Sequence, residues 1–226
     1  VPTPTVAACQ MAVADLAPQA NLATVGERLA SLDDGVDVAL FPEYALTGFV
    51  ADERVYDAAL ARDGRELDRL DTYAADYDVA VLAGFVEVAD DYYNAVVYVT
   101  PDGDRTYYRK RNLWAGEQDV LATGDDAVTI DTPVGEAGVV TCYDLNFVDV
   151  SAAFAREGVN ALFVVGAWPG SYSENWRLLL RARALDGVRW VVGCGRTGNA
   201  TWRTRKRSRT PGGRRSCGPT GRSVTR

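Results

Sequence analysis

The chain has 226 residues, 47% of them hydrophobic and 24% charged, enough for one sizeable α/β domain, and no run of 18 apolar residues, which excludes a membrane span. It contains no histidine, so histidine-based acid–base chemistry is excluded, and its four cysteines (Cys9, Cys142, Cys194, Cys217) lack the C-x-x-C spacing of zinc or redox pairs. Charge is uneven: of 24 basic and 31 acidic residues, nine basic ones (eight Arg, one Lys) and no acid fall in 201–226, leaving 15 against 31, a net −16, in 1–200. An acidic body with one lysine, Lys110, predicts a protein kept soluble in concentrated salt, where screening weakens self-repulsion; the alternative is an ordinary acidic cytoplasmic protein.

In chain order, "TVAACQMAV" (5–13) predicts a first strand. "NLATVGERLASL" predicts a helix with Leu22, Val25, Leu29 and Leu32 on one face and Asn21 as its N-cap. "VDVALFPEY" is a buried strand ending in Pro42-Glu43, "RELDRLDTYAADY" a helix and "VAVLAGFVEV" an apolar strand. "YYNAVVYVT" and "DRTYYRK", joined by Pro101-Asp102-Gly103, form a hairpin, and "DAVTIDTPVGEAGVVTC" is a second strand pair. Helices over 149–157 and 173–187 then alternate with strands over 160–166 and 189–194. Strands alternating with helices at both ends, with hairpins between, predict a layered α/β fold around a mixed sheet.

"GCGRTG" (193–198) matches G-x-G-x-x-G, but no helix pattern opens inside it and no acid follows to hold a ribose, so a dinucleotide loop is rejected. The N-terminal stretch has neither a basic n-region nor an apolar h-region; no signal peptide and a reduced, cytoplasmic setting are expected.

"VVTCYDLNF" puts Cys142 at the end of a buried strand, on the lip of a turn, where a nucleophile would stand. A thiol needs a base or a cation to become thiolate, and without histidine the candidate bases are carboxylates, whose pKa burial raises toward the useful range. Glu43, in "ALFPEYALTGF", is the carboxylate set among apolar and aromatic neighbours; the alternative is a strand-end glutamate facing water. Lys110, in "DRTYYRKRNLW", is a compact point donor suited to a developing oxyanion; the alternative is an ordinary surface lysine. Trp168 and Tyr143 could line a substrate pocket or simply pack, and Cys9 and Cys194 sit in apolar strands as core residues.

Together, "LFPEYALTGF", "YYRKRNLW" and "VVTCYDLNF" resemble the three motif regions of the nitrilase superfamily, the carbon–nitrogen hydrolases, in the same chain order and over about residues 3–200. The resemblance implies an α-β-β-α sandwich that pairs into a homodimer, and a catalytic set of Glu43, Lys110 and Cys142 with Glu117 as the second glutamate beside them. It implies hydrolysis of an amide, N-carbamoyl or nitrile carbon through a cysteine thioester. Glu43 would move the protons, Lys110 and the Tyr143 backbone N–H would hold the oxyanion, and no cofactor or metal would be required.

Two features depart from the family pattern. Many relatives read C-Y-D-L-R-F after the nucleophile, whereas Asn146 stands here in place of that arginine. From about residue 201 the sequence turns basic and loses its aliphatic residues, predicting a hydrolase domain over 1–200, truncated of its last strands, followed by a disordered tail over 201–226. The tail reads as a frameshifted C-terminus, a solvated linker, or an arginine-rich arm for nucleic acid; the abrupt loss of acids and aliphatics favours the frameshift, and high salt disfavours the arm. The rival to an active enzyme is an inactive, truncated relative that uses the tail as a binding arm.

Overall fold

The structure, a computed structural model, describes residues 3–198. Two sheets lie face to face between two pairs of helices. The first sheet has the order β1 (Val6–Ala8), β2 (Val38–Leu40), β3 (Ala80–Val88), β4 (Tyr92–Val99) and β5 (Arg105–Arg109), with β1, β2 and β3 parallel and β3–β4–β5 antiparallel. The second runs β6 (Thr129–Ile130), β7 (Ala137–Thr141), β8 (Ala161–Gly166) and β9 (Trp190–Gly195), antiparallel at β6–β7 and parallel from there on. Helices α1 (Pro18–Ala30) and α2 (Arg65–Tyr77) cover the first sheet; α3 (Val148–Glu157) and α4 (Ser173–Gly187) cover the second.

The period-2 alternation of each strand divides the core into layers. Ala39, Val81 and Val97 face outward onto Leu22, Val25 and Leu29 of α1 and Leu67 and Leu70 of α2. Their neighbours Val38, Leu40, Leu82 and Val96 face inward and meet Val139, Phe163 and Val165 of the second sheet. On the far side, Val140, Leu162 and Val164 pack against Val150 and Phe154 of α3 and against the partly buried Leu179 and Leu180 of α4. The expected α-β-β-α sandwich is therefore present, and burying each of these aliphatic side chains contributes roughly 1.5–3 kcal/mol.

Two local expectations are corrected. The first strand is three residues long: after Ala8 the chain leaves the sheet, with Cys9, Met11 and Val13 turned into the core beside α1 and Ala12 bridging Thr197. Asn21 is not an N-cap. Helix α1 already begins at Pro18, where a missing N–H costs nothing, and the Asn21 side chain accepts from Ala14 N (2.8 Å) and donates to Ala14 O (2.8 Å). The local preference of Asn for a cap lost to a clamp on the preceding loop. The rejected glycine motif starts inside β9, where Gly193 makes room for Leu180. The tail over 201–226, and Cys217 in it, lie outside the described residues. Among the described residues no helix is long and apolar enough to cross a membrane.

Candidate active site

Four strands end along one edge of the sandwich, and each delivers a group to one point. Glu43 follows β2, Lys110 follows β5, Cys142 follows β7, and the Ala167 N–H follows β8. The segment after β2 turns sharply, with Tyr44 at φ 59°, and lies directly on β3. A Cβ on Gly84 would come within 2.6 Å of Tyr44 N and 2.7 Å of the Glu43 Cα, so the absence of a side chain there is what lets the Glu43 segment sit so close. Lys110 is held through its backbone, donating to Asn94 O (2.8 Å) and accepting from Gly124 N (2.9 Å). Cys142 itself adopts φ 47° at the junction of β7 with a short 3-10 turn over Cys142–Asn146. For a residue with a side chain this left-handed conformation is strained, a feature that clusters at functional sites.

Glu43, Lys110 and Glu117 are all buried. Lys110 Nζ donates to Glu43 Oε1 (2.8 Å) and to both Glu117 oxygens (2.9 and 2.8 Å), so one ammonium stands between two carboxylates. Burial alone would lower the Lys110 pKa, but Glu117 and then Glu43 outweigh it and hold the amine well above its usual value, fully protonated. Glu43 Oε1 also accepts from Asn94 Nδ2 (2.8 Å), and its Oε2 accepts from Ala167 N (2.7 Å), which ties this first-sheet residue to the second sheet. Burial first, then the nearby Glu43 charge, pushes the Cys142 thiol well above its usual value against the opposing pull of Lys110. At neutral pH the sulfur therefore rests as a thiol, with Glu43 nearby.

The three residues expected to act together do meet, and Glu117 joins them. Tyr143 and Trp168 line a cavity of about 180 Å³ over Cys142, together with Trp114, Asn146, Tyr172 and Asn175. Trp168 is oriented by donating Nε1–H to Tyr172 O (2.9 Å). Cys9 and Cys194 are buried free thiols in the core, the former pushed up to about 11 by burial. Among the described residues no group of three or more His, Cys, Asp or Glu is arranged to hold a metal ion.

Three contributors escaped the sequence reading. Asn94 bridges Glu43, the Tyr44 hydroxyl (2.8 Å) and Glu117 (2.9 Å) through one amide nitrogen. Its signal was an amide in a strand otherwise made of Tyr, Ala and Val. Tyr44 donates its hydroxyl to Glu117. Asp144, buried two residues after Cys142, accepts from Tyr108 OH (2.7 Å), Asn112 N (2.8 Å) and Asn112 Nδ2 (2.9 Å), pinning the Cys142 turn to the segment that carries Lys110. Burial raises the Asp144 carboxyl, opposed by Lys110 and these donors.

The carbon–nitrogen hydrolase family model matches residues 5–223. An (R)-stereoselective amidase from a Pseudomonas species is 31% identical, over 79% of this chain and 65% of its own length. The 2-oxoglutaramate amidase of Bacillus subtilis is 29% identical, over 72% of this chain and 64% of its own. The chain thus spans less than two thirds of the length of these two relatives. Among solved structures, a CN-hydrolase superfamily protein from Xanthomonas campestris superposes with a TM-score of 0.78 at 25% identity, covering 85% of this chain and 76% of that one. A match over nearly the whole sequence, on a shared sandwich, makes the chain a member of the carbon–nitrogen hydrolase family.

Proposed function

We propose that the protein is an amide-hydrolysing enzyme that works through a thioester on Cys142. The observation that carries the reading is the buried Glu43, bound to the Lys110 ammonium (2.8 Å), at the strand ends where Cys142 opens onto a cavity. Glu43 accepts the thiol proton as sulfur attacks the carbonyl carbon. Lys110 and the backbone N–H of Tyr143, at the start of the 3-10 turn, stabilise the oxygen of the tetrahedral intermediate. The proton passes from Glu43 to the leaving nitrogen, and ammonia or an amine departs. Water, deprotonated by Glu43, then cleaves the thioester and frees the acid and the thiol. N-carbamoyl and nitrile carbons are alternative electrophiles for the same sulfur.

The relatives named amidases support the amide reading, and the assembled Glu–Lys–Cys cluster favours an active enzyme over an inactive relative. A homodimer fits the apolar residues left exposed on and beside α4 and β9, with Leu185 79%, Val188 93% and Trp190 80% exposed. A cytoplasmic setting and a salt-adapted surface complete the proposal. The test is ammonia release from a panel of amides, N-carbamoyl amines and nitriles, in dilute buffer and in molar KCl, by the parent and by Cys142→Ala. Release that depends on Cys142 is expected; release unchanged in Cys142→Ala would overturn the reading.

A further inference from the structure

The cavity over Cys142 has a charge pattern that decides what can enter it. Its walls are the rings of Trp114, Tyr143, Trp168 and Tyr172, Pro169, and the side-chain amides of Asn146 and Asn175; among the described residues no charged side chain lines it. The groups beneath the nucleophile carry two carboxylates, Glu43 and Glu117, against one ammonium, Lys110, and Asp144 is buried close by. Lys110 is paired on two sides and does not line the cavity, so a carboxylate at the far end of an acyl chain meets no exposed ammonium there. Arg183, on the helix behind the Cys142 turn, is engaged with Leu145 O (3.2 Å) and Asp186 (2.6 Å). Asn146 Nδ2 donates to Tyr143 O (3.1 Å) and brings a neutral amide to the rim.

An acyl chain ending in a carboxylate would give up part of its water for walls that hold no cation among the described residues, above a floor with more carboxylates than ammonium groups. The ring faces add to this, since an aromatic face attracts cations and repels anions. An uncharged chain loses nothing on entry, and a positively charged one meets both the rings and the floor favourably.

We propose that this cavity admits amides whose acyl chain is neutral or cationic and excludes those whose acyl chain carries a carboxylate. This names the substrate class for the amide-hydrolysing reading above and rests on it; the charge selectivity belongs to the cavity and is measurable without turnover. Butyramide, β-alaninamide and succinamate share one two-carbon spacer and end in methyl, ammonium and carboxylate. Two readouts are needed: kcat/KM from ammonia release, and protection of Cys142 in the native protein from alkylation by iodoacetamide. Butyramide and β-alaninamide are expected to exceed succinamate by at least about tenfold in kcat/KM, the effect of one charge left unpaired at a half-open site. They should also protect Cys142 at concentrations where succinamate does not. Asn146→Arg, which sets a guanidinium at the rim, should raise succinamate turnover at least about tenfold and lower that of β-alaninamide. If that variant fails to fold, the parent series decides alone. Succinamate turning over or protecting as well as butyramide overturns the selectivity while leaving the hydrolase reading intact, and protection by none of the three overturns it too. Protection in the stated order with no ammonia released sustains the selectivity and sinks the hydrolase reading instead.

Discussion

Glu117→Gln is a nearly isosteric change that the buried site should not tolerate. Glu117 accepts hydrogen bonds from Lys110 Nζ at both oxygens, from Asn94 Nδ2 (2.9 Å) and the Tyr44 hydroxyl at Oε1, and from Trp114 N (2.6 Å) at Oε2. A glutamine must place an NH2 at one of these two positions. At Oε2 it faces the Lys110 ammonium and the Trp114 N–H; at Oε1 it faces the Asn94 amide and Lys110 again. Both orientations set donor against donor, and Lys110 loses one of its two counter-charges. Removing one partner of a buried ion pair costs about 3–5 kcal/mol. At ~2–4 °C per kcal/mol for a chain of this size, Tm should fall by roughly 6–20 °C. Thermal unfolding of parent and variant in one buffer at pH 7 measures it, with Glu27→Gln, an exposed α1 position, as a control that should shift Tm by less than about 2 °C. A Glu117→Gln protein melting within about 2 °C of the parent would refute the placement of Glu117 as a buried acceptor for four donors.

Lys110→Arg keeps the charge but sets a wide planar fork between two carboxylates; kcat should fall at least about a hundredfold, and activity within threefold of the parent would remove Lys110 from the chemistry. For Glu87, burial by itself raises the carboxyl, but Arg109 and Arg62 outweigh it and hold it below its ordinary 4.5. A folded-state pKa lowered in this way gives stability that is present above about pH 4.5 and lost as pH falls through the folded value. The parent should therefore out-melt Glu87→Gln at pH 7 and lose that margin progressively as pH falls below 4.5; a margin constant with pH would contradict the ion pairing. With −16 on residues 1–200, Tm should rise between dilute buffer and molar KCl, and an unchanged Tm would remove the salt-adapted reading.

The strands were legible as apolar runs and the sandwich through the family resemblance; Glu43 and Cys142 stand where an apolar run stops, Lys110 at the end of an aromatic hairpin strand. Lys110 announced itself by being the single lysine of the first 200 residues. The contributions of Asn94, Tyr44 and the Ala167 N–H depend on register and on how one sheet lies over the other. Asn94 reaches Lys110 because Ala95 pairs with Arg109, a match between two strands that neither strand encodes alone. Asn21 was misread for the opposite reason: a strong local preference was overruled by a loop that needed both of its amide groups.

The central claim is that amide hydrolysis passes through an acyl group on Cys142, formed with Glu43 as its base. Acid quenching during turnover of butyramide, followed by intact-mass measurement and peptide mapping, tests it most directly. The account predicts a fraction of the protein heavier by one butyryl group, mapped to Cys142, absent in Cys142→Ala and strongly reduced in Glu43→Gln. Butyramide consumed with no acyl adduct, or with the adduct on another residue, would contradict it.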